Sequence, residues 1–214
     1  KKQTAEVKTA TQAPRKKALL FELDNVGIKG RELVYDVLSG ILEEKGVNFS
    51  ISMFCKYCIY PPVKNYMHQI LSKSGRTRLS EEKLTVEVNE SVKLMFADGN
   101  IKMNTGMMSL IDKSISSGAA IGVLSIFDEV TTKKIVDKLG LVEKGVEMLC
   151  NGSEDKHMPS TDAWLKLAKS MKMPASCYVA IASSSRACKA ALSAGMRCVA
   201  LPDKFTSFQD FSGA

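Results

Sequence analysis

Two acidic residues stand two positions apart at the end of an apolar stretch. In the segment ALLFELDNVGIKG (18–30), Glu22 and Asp24 flank Leu23, and glycines follow. Carboxylates at this spacing, where a buried strand opens into a loop, are typical of a reaction centre. However, Glu22 is one methylene longer than the residue expected at its position.

The elements that position these acids follow from hydrophobic spacing. The apolar run 18–23 predicts a strand buried on both faces, and residues 31–45 have the spacing of an amphipathic helix. Beyond Gly106, helices are predicted over 107–116, 129–139, 161–171 and 185–194, and strands over 119–127, near 147–149, and over 177–182 and 197–201. This alternation predicts an α/β fold with a parallel, Rossmann-like sheet flanked by helices.

A block without a convincing strand separates the first strand from the alternating part. It predicts helices around 62–73 and 80–96, with a further short one near 50–58. Such a block fits a small helical domain inserted over the carboxyl ends of the strands. We therefore predict a basic tail at 1–17, an α/β core formed by 18–32 and 105–214, and a helical cap at 33–104.

The net charge of +7 belongs mainly to the tail, because residues 1–17 carry six basic side chains and one acid. The remainder is nearly balanced, so nucleic-acid binding is not expected. The tail should be disordered when free. It is either a solvated leader or a contact for an acidic protein partner. No apolar run approaches the ~18 residues of a membrane span.

The six cysteines are scattered, several of them within apolar segments. This distribution predicts a reducing, intracellular compartment rather than a disulfide framework. The pair Cys55 and Cys58 forms a single C-x-x-C without a second Cys/His pair at zinc spacing, which favours helix packing over metal or redox use. The basic, hydroxyl-rich leader is also compatible with a processed plastid or mitochondrial protein.

Three further motifs carry a family resemblance. They are the segments RELVYDVLSGILEEKG, TGMMSLIDKSISSGAAIGVLS and CYVAIASSSRACKAALSAGMRCVALPD. With the paired acids, they resemble the haloacid dehalogenase-like (HAD) phosphohydrolases, in the branch of the phosphoglycolate phosphatases and beta-phosphoglucomutases with a helical cap. The resemblance covers about residues 17–203. It implies phosphoryl transfer through an aspartyl-phosphate, assisted by magnesium.

The resemblance places Glu22 in the nucleophile position and Asp24 in the acid/base position. It places Ser125 and Lys156 where the family holds the phosphoryl oxygens.

The metal-binding acids of the family are missing, because Ala182 and Ser183 stand in their place. Magnesium prefers several oxygen ligands, including carboxylates. In addition, the extra methylene of Glu22 displaces its carboxylate by ~1.5 Å relative to that of Asp. A displacement of about this size can slow a reaction on the order of 10²-fold. Asp128 and Glu129 are expected to begin a helix, and Asp155 is expected in a loop, although a replacement role for it stays open.

These losses predict a HAD-like pseudo-phosphatase without a cofactor, acting as a structural or interaction subunit of a larger assembly. Its protein partners would bind the cap or the tail, and the apolar segment SISMFCKYCIYPPVKNYMHQIL is either a docking surface or cap interior. The alternative is a magnesium-dependent phosphatase that acts on a small phosphate ester with an atypical nucleophile site.

Overall fold

A five-stranded parallel sheet forms the centre of the computed structural model, which describes residues 17–59, 64–151 and 158–214. The strands are β1 (Ala18–Glu22), β2 (Ala120–Ser125), β3 (Glu147–Cys150), β4 (Tyr178–Ala182) and β5 (Arg197–Ala200). Their order is β3-β2-β1-β4-β5, and every neighbouring pair is parallel. The predicted Rossmann-like α/β fold is confirmed. The basic tail, apart from Lys17, lies outside the described residues.

Helices cover both faces of the sheet. The helices are α1 (Gly30–Glu44), α2 (Ile51–Tyr57), α3 (Lys64–Lys73), α4 (Glu81–Asp98), α5 (Met107–Ser116), α6 (Glu129–Lys138), α7 (Thr161–Ser170) and α8 (Ser185–Ser193). Along β1, Leu19 and Phe21 join a hydrophobic cluster with residues of α5 and α6. Leu20 points to the other face and packs with residues of α7 and α8. A strand buried on both faces explains why its sequence is a continuous apolar run.

The predicted strand over 119–127 is shorter in the structure, where β2 ends at Ser125. The next two backbone N–H groups leave the sheet: that of Ile126 donates to the Asp24 side chain, and that of Phe127 donates to Ser125 Oγ. Side-chain hydrogen bonding therefore ends the strand while the sequence is still apolar.

Helices α1 to α4 occupy the block where a cap is predicted, although α1 begins at Gly30, before the predicted boundary. The division into core and cap stays a prediction. Several apolar residues of the segment considered for docking lie inside: Phe54, Ile59 and Met67 are all buried. Cys58 is also buried, and burial raises the pKa of its thiol, as expected for a packing role. No helix in the described ranges is long and apolar enough to span a membrane.

Gly122, in the middle of β2, provides a test of this packing. A Cβ at this position would lie 2.7 Å from Leu20 Cδ2 and 2.9 Å from Met171 Sδ. We expect Gly122→Ala to lower the free energy of unfolding by about 1–3 kcal/mol through overpacking, measured by urea denaturation. The control is Gly40→Ala on an exposed turn of α1, where a Cβ meets nothing within 4 Å. It should stabilise the protein by about 1 kcal/mol. Equal effects of the two substitutions would contradict the packing.

Candidate active site

The predicted site residues meet at the carboxyl edge of the sheet. Glu22 ends β1, Ser125 ends β2 and Ala182 ends β4, with Ser183 directly after it. Because β1 lies between β2 and β4, these three strand ends are neighbours. The chain places β2 and β3 on one side of β1, and β4 and β5 on the other side, so the strand order has a topological switch point between β1 and β4. Open α/β sheets bind ligands in the crevice at such a switch point.

Asp24 lies in a single π-helical turn (Leu23–Gly27) directly after β1, a rare geometry that is frequent at functional sites. Its Oδ1 accepts a hydrogen bond from Ser125 Oγ at 3.0 Å, and its Oδ2 accepts one from the Ile126 N–H at 2.6 Å. The side chain is almost completely buried. Burial raises the pKa of Asp24 to about 7, although the two hydrogen bonds oppose this shift.

Ser183 contacts both carboxylate oxygens of Glu22. Oε1 accepts a hydrogen bond from the Ser183 N–H at 2.8 Å, and Oε2 accepts one from the Ser183 hydroxyl at 3.0 Å. Burial raises the pKa of Glu22, while the charge of Arg31 and the hydrogen bonds from Ser183 act in the opposite direction. The carboxylate in the nucleophile position is therefore engaged on the β4 side of the site.

A buried arginine completes the site, and the sequence did not identify it. Arg31 Nη1 donates to Ser183 Oγ at 2.9 Å and to Asp203 Oδ2 at 2.8 Å. The other carboxylate oxygen of Asp203 accepts hydrogen bonds from the Phe205 N–H and from Thr206 Oγ1. Asp203 thus fixes the guanidinium beside Glu22, and one cation faces two acids.

The predicted site residues that the structure describes do not add metal ligands beyond the two acids. Ala182 contributes only a methyl group. Within the ranges that the structure describes, no group of three or more His, Cys, Asp or Glu side chains could hold a metal ion. Asp128 caps α6 by accepting a hydrogen bond from the Thr131 N–H at 2.9 Å, as predicted for a helix start. Lys156 and Asp155 lie outside the described residues.

The cleft left between these groups is small. It is lined by both acids, by Ser125 and its neighbours Leu124 and Ile126, and by Met158 and Pro159. Its volume of about 10 Å³ is near the minimum for a single water molecule. Among the described residues, the arrangement offers a buried acid that can hold or release a proton near neutral pH.

Comparisons with known proteins point to one fold. No protein-family model matches the chain. A Bacillus subtilis protein, YhcW, named as a candidate phosphatase, is 26% identical over 204 residues, which span 91% of this chain and 89% of that protein.

Solved structures give the same result. CbbY from Rhodobacter sphaeroides, in complex with phosphate, superposes with a TM-score of 0.75 at 20% identity, covering 93% of this chain and 92% of that chain. A family IA HAD hydrolase from Entamoeba histolytica gives a TM-score of 0.72 at 19% identity, covering 89% of this chain and 86% of the other. A beta-phosphoglucomutase from Clostridium difficile gives 0.68 at 17% identity, with coverages of 88% and 85%. The resemblance inferred from the motifs is confirmed, and the chain has the haloacid dehalogenase-like fold of the phosphoglycolate phosphatase and beta-phosphoglucomutase branch.

Proposed function

We propose that the chain is a HAD-like pseudo-phosphatase, catalytically impaired, that serves as a structural or interaction subunit. The observation that carries this proposal is the engagement of Glu22, since both of its oxygens accept hydrogen bonds from Ser183. A nucleophile must direct a free lone pair at phosphorus, in line with the leaving group. In this geometry each Glu22 oxygen already accepts a hydrogen bond from Ser183, and these two bonds hold the carboxylate on the β4 side of the site.

Electrostatics support the same proposal. A phosphate ester brings negative charge, and transferring its phosphoryl group requires cations that offset the charge in the transition state. Here Arg31 already pairs with Asp203, and its charge also acts on Glu22, to which the Ser183 hydroxyl links it. Three acidic side chains (Glu22, Asp24 and Asp203) and one cation leave the described part of the site without positive charge to spare, which disfavours a dianionic ligand.

The interaction half of the proposal is supported by the edge of the sheet. β5 is an edge strand. Three apolar side chains are exposed in this part of the chain, one in β5 and two after it: Val199, Leu201 and Phe208. Edge strands with exposed apolar residues are prone to pair with other chains. Isolating the protein from its native source would show whether it migrates alone or within a larger complex, and migration only as a single chain would contradict this half.

A second candidate is a working magnesium-dependent phosphatase that acts on a small phosphate ester, and the comparisons favour it over the first. Two of the proteins above carry the name of a phosphatase or a phosphomutase. In addition, the pKa of Asp24 at about 7 suits a general acid or base at neutral pH. This candidate needs a divalent cation held by ligands other than Ala182 and Ser183.

A hydrolysis assay separates the two candidates. We expect the purified protein, given a generic phosphate monoester and Mg²⁺, to release phosphate no faster than its Asp24→Asn variant. Asp128→Asn is the matched control, because it makes the same chemical change at a helix cap outside the site. A rate that disappears in Asp24→Asn and persists in Asp128→Asn would establish the working phosphatase.

A further inference from the structure

The clearest disagreement between this site and its fold family concerns the cation. The family implies a magnesium ion beside the nucleophile position, held partly by carboxylates after the fourth strand. Here that place holds the Ala182 methyl and the Ser183 hydroxyl. The hydroxyl donates its proton to Glu22 Oε2 and accepts from Arg31, so it is already held between an acid and a cation and offers a metal only one neutral lone pair. The described residues do not fit the metal.

Arg31 supplies a positive charge at the same end of the sheet. Its side chain is only 7% exposed and forms an ion pair with Asp203 at 2.8 Å. Its Nε is buried and has no hydrogen-bond partner among the residues that the structure describes. The guanidinium therefore carries its charge into the interior of the site, where the Ser183 hydroxyl links it to Glu22.

The backbone fixes this position. Gly30 precedes Arg31 at the start of α1, and a Cβ on Gly30 would lie 2.0 Å from the Asp24 carbonyl oxygen. Only glycine permits this contact between helix and loop. The first turn of α1 is therefore pressed against the loop that carries Asp24, and the Arg31 side chain emerges directly beside the site.

We propose that the Arg31 guanidinium takes the place of the divalent metal, as a permanent cation that compensates Glu22 and excludes a second cation. Unlike a bound ion, a guanidinium cannot dissociate or be removed by a chelator, and it stays charged at all accessible pH values. A divalent ion beside Glu22 would meet this charge at close range inside a poorly solvated site, where like charges repel strongly.

Restoring the metal site should require two substitutions, one that adds a carboxylate and one that removes the Arg31 charge. Ser183→Asp alone returns a carboxylate to the family position, but Arg31 lies 2.9 Å from that side chain and would pair with the introduced acid. Replacing Arg31 by Met as well frees the introduced acid, Glu22 and Asp203 together. The metal site should return only in the double variant.

Mn²⁺ serves as the probe, because the electron paramagnetic resonance signal of the free ion disappears when the ion binds to the protein. We expect no saturable binding to the native protein or to Ser183→Asp. Ser183→Asp/Arg31→Met should bind Mn²⁺ saturably, with a dissociation constant roughly tenfold or more below the highest Mn²⁺ concentration at which Ser183→Asp shows no binding. The matched control, Ser183→Asp/Arg31→Lys, retains the positive charge and should behave like Ser183→Asp.

Circular dichroism confirms folding of each variant. Saturable Mn²⁺ binding to the native protein that is lost in Glu22→Gln would overturn the proposal, and so would equal binding by Ser183→Asp and a folded double variant. Ser183→Asp keeps Arg31, so tight binding by this single variant decides against the proposal even where the double variant does not fold. The result is distinct from turnover: a native protein that hydrolyses phosphate esters without binding Mn²⁺ would refute the pseudo-phosphatase and leave this inference standing.

Discussion

Replacing Arg31 by Met is expected to lower the free energy of unfolding by about 3–5 kcal/mol, the range for breaking a buried ion pair by removing one partner. The loss arises because Glu22 and Asp203 stay in place without their cation. Glu22 is 3% exposed, so water cannot replace the guanidinium. Urea denaturation at neutral pH measures the change.

Two controls distinguish this explanation from a general effect of removing a basic side chain. Lys45 forms an exposed pair with Glu87 at 3.6 Å, and Lys45→Met should change the free energy of unfolding by less than about 1 kcal/mol. Arg31→Lys keeps the charge but loses the planar guanidinium, so its free energy of unfolding should lie between those of the native protein and Arg31→Met.

The loss should also depend on pH. Burial raises the pKa of Glu22, and a protonated Glu22 needs no cation. The destabilisation by Arg31→Met should therefore be smaller at pH 5 than at pH 8. A loss below about 1 kcal/mol at neutral pH, or one that does not depend on pH, would mean that Arg31 does not compensate Glu22.

The meeting of Glu22, Asp24, Ser125 and Ser183 could be predicted from the sequence because it depends on topology alone. Short crossovers between parallel strands bring their carboxyl ends to one edge. The apolar runs locate those ends to within a residue or two. The end of β2 was missed because Ile126 and Phe127 are apolar, and only their hydrogen bonds to side chains show that the strand has stopped.

Arg31 could not be predicted in the same way. The loss of acids at 182 and 183 indicates that Glu22 needs another partner, but the chain offers 30 lysines and arginines. Selecting one of them requires the contact of α1 with the loop after β1 and the anchoring of Asp203, which lies 172 positions away in the chain. Such contacts depend on side-chain geometry and leave no periodic signal in the sequence.

The second large effect is expected at Asp24, where Asp24→Asn should stabilise the protein at pH 8. A protonated Asp24 can donate to Ser125 Oγ while its carbonyl oxygen accepts from the Ile126 N–H. The amide of Asn can form the same two hydrogen bonds, because the Ser125 hydroxyl both donates and accepts. The variant therefore imitates the neutral acid and never incurs the cost of a buried charge.

The sign of the pH dependence follows from the protons bound. Asp24 has a pKa of about 7 in the folded protein against 3.8 for the ordinary side chain. Between these values the native state binds more protons than the unfolded state, so the free energy of unfolding falls as pH rises, and it levels off above about 7. The full difference corresponds to on the order of 4 kcal/mol. Asp24→Asn should be more stable than the native protein by up to this amount at pH 8, and equally stable near pH 4.

Asp128→Asn is the matched control, because its environment shifts the pKa in the other direction. Hydrogen bonding to the Thr131 N–H lowers the pKa of Asp128, so its contribution to stability is present above the ordinary pKa and is lost as pH falls below it. The difference in the free energy of unfolding between Asp128→Asn and the native protein should change with pH only below about pH 4. Urea denaturation of all three proteins from pH 4 to pH 8 makes the comparison, and over this range the difference between Asp128→Asn and the native protein should stay constant. If Asp24→Asn and the native protein keep a constant difference across that range, the carboxyl of Asp24 is ionised throughout, and Ser125 and Ile126 hold an ordinary carboxylate rather than a buried acid.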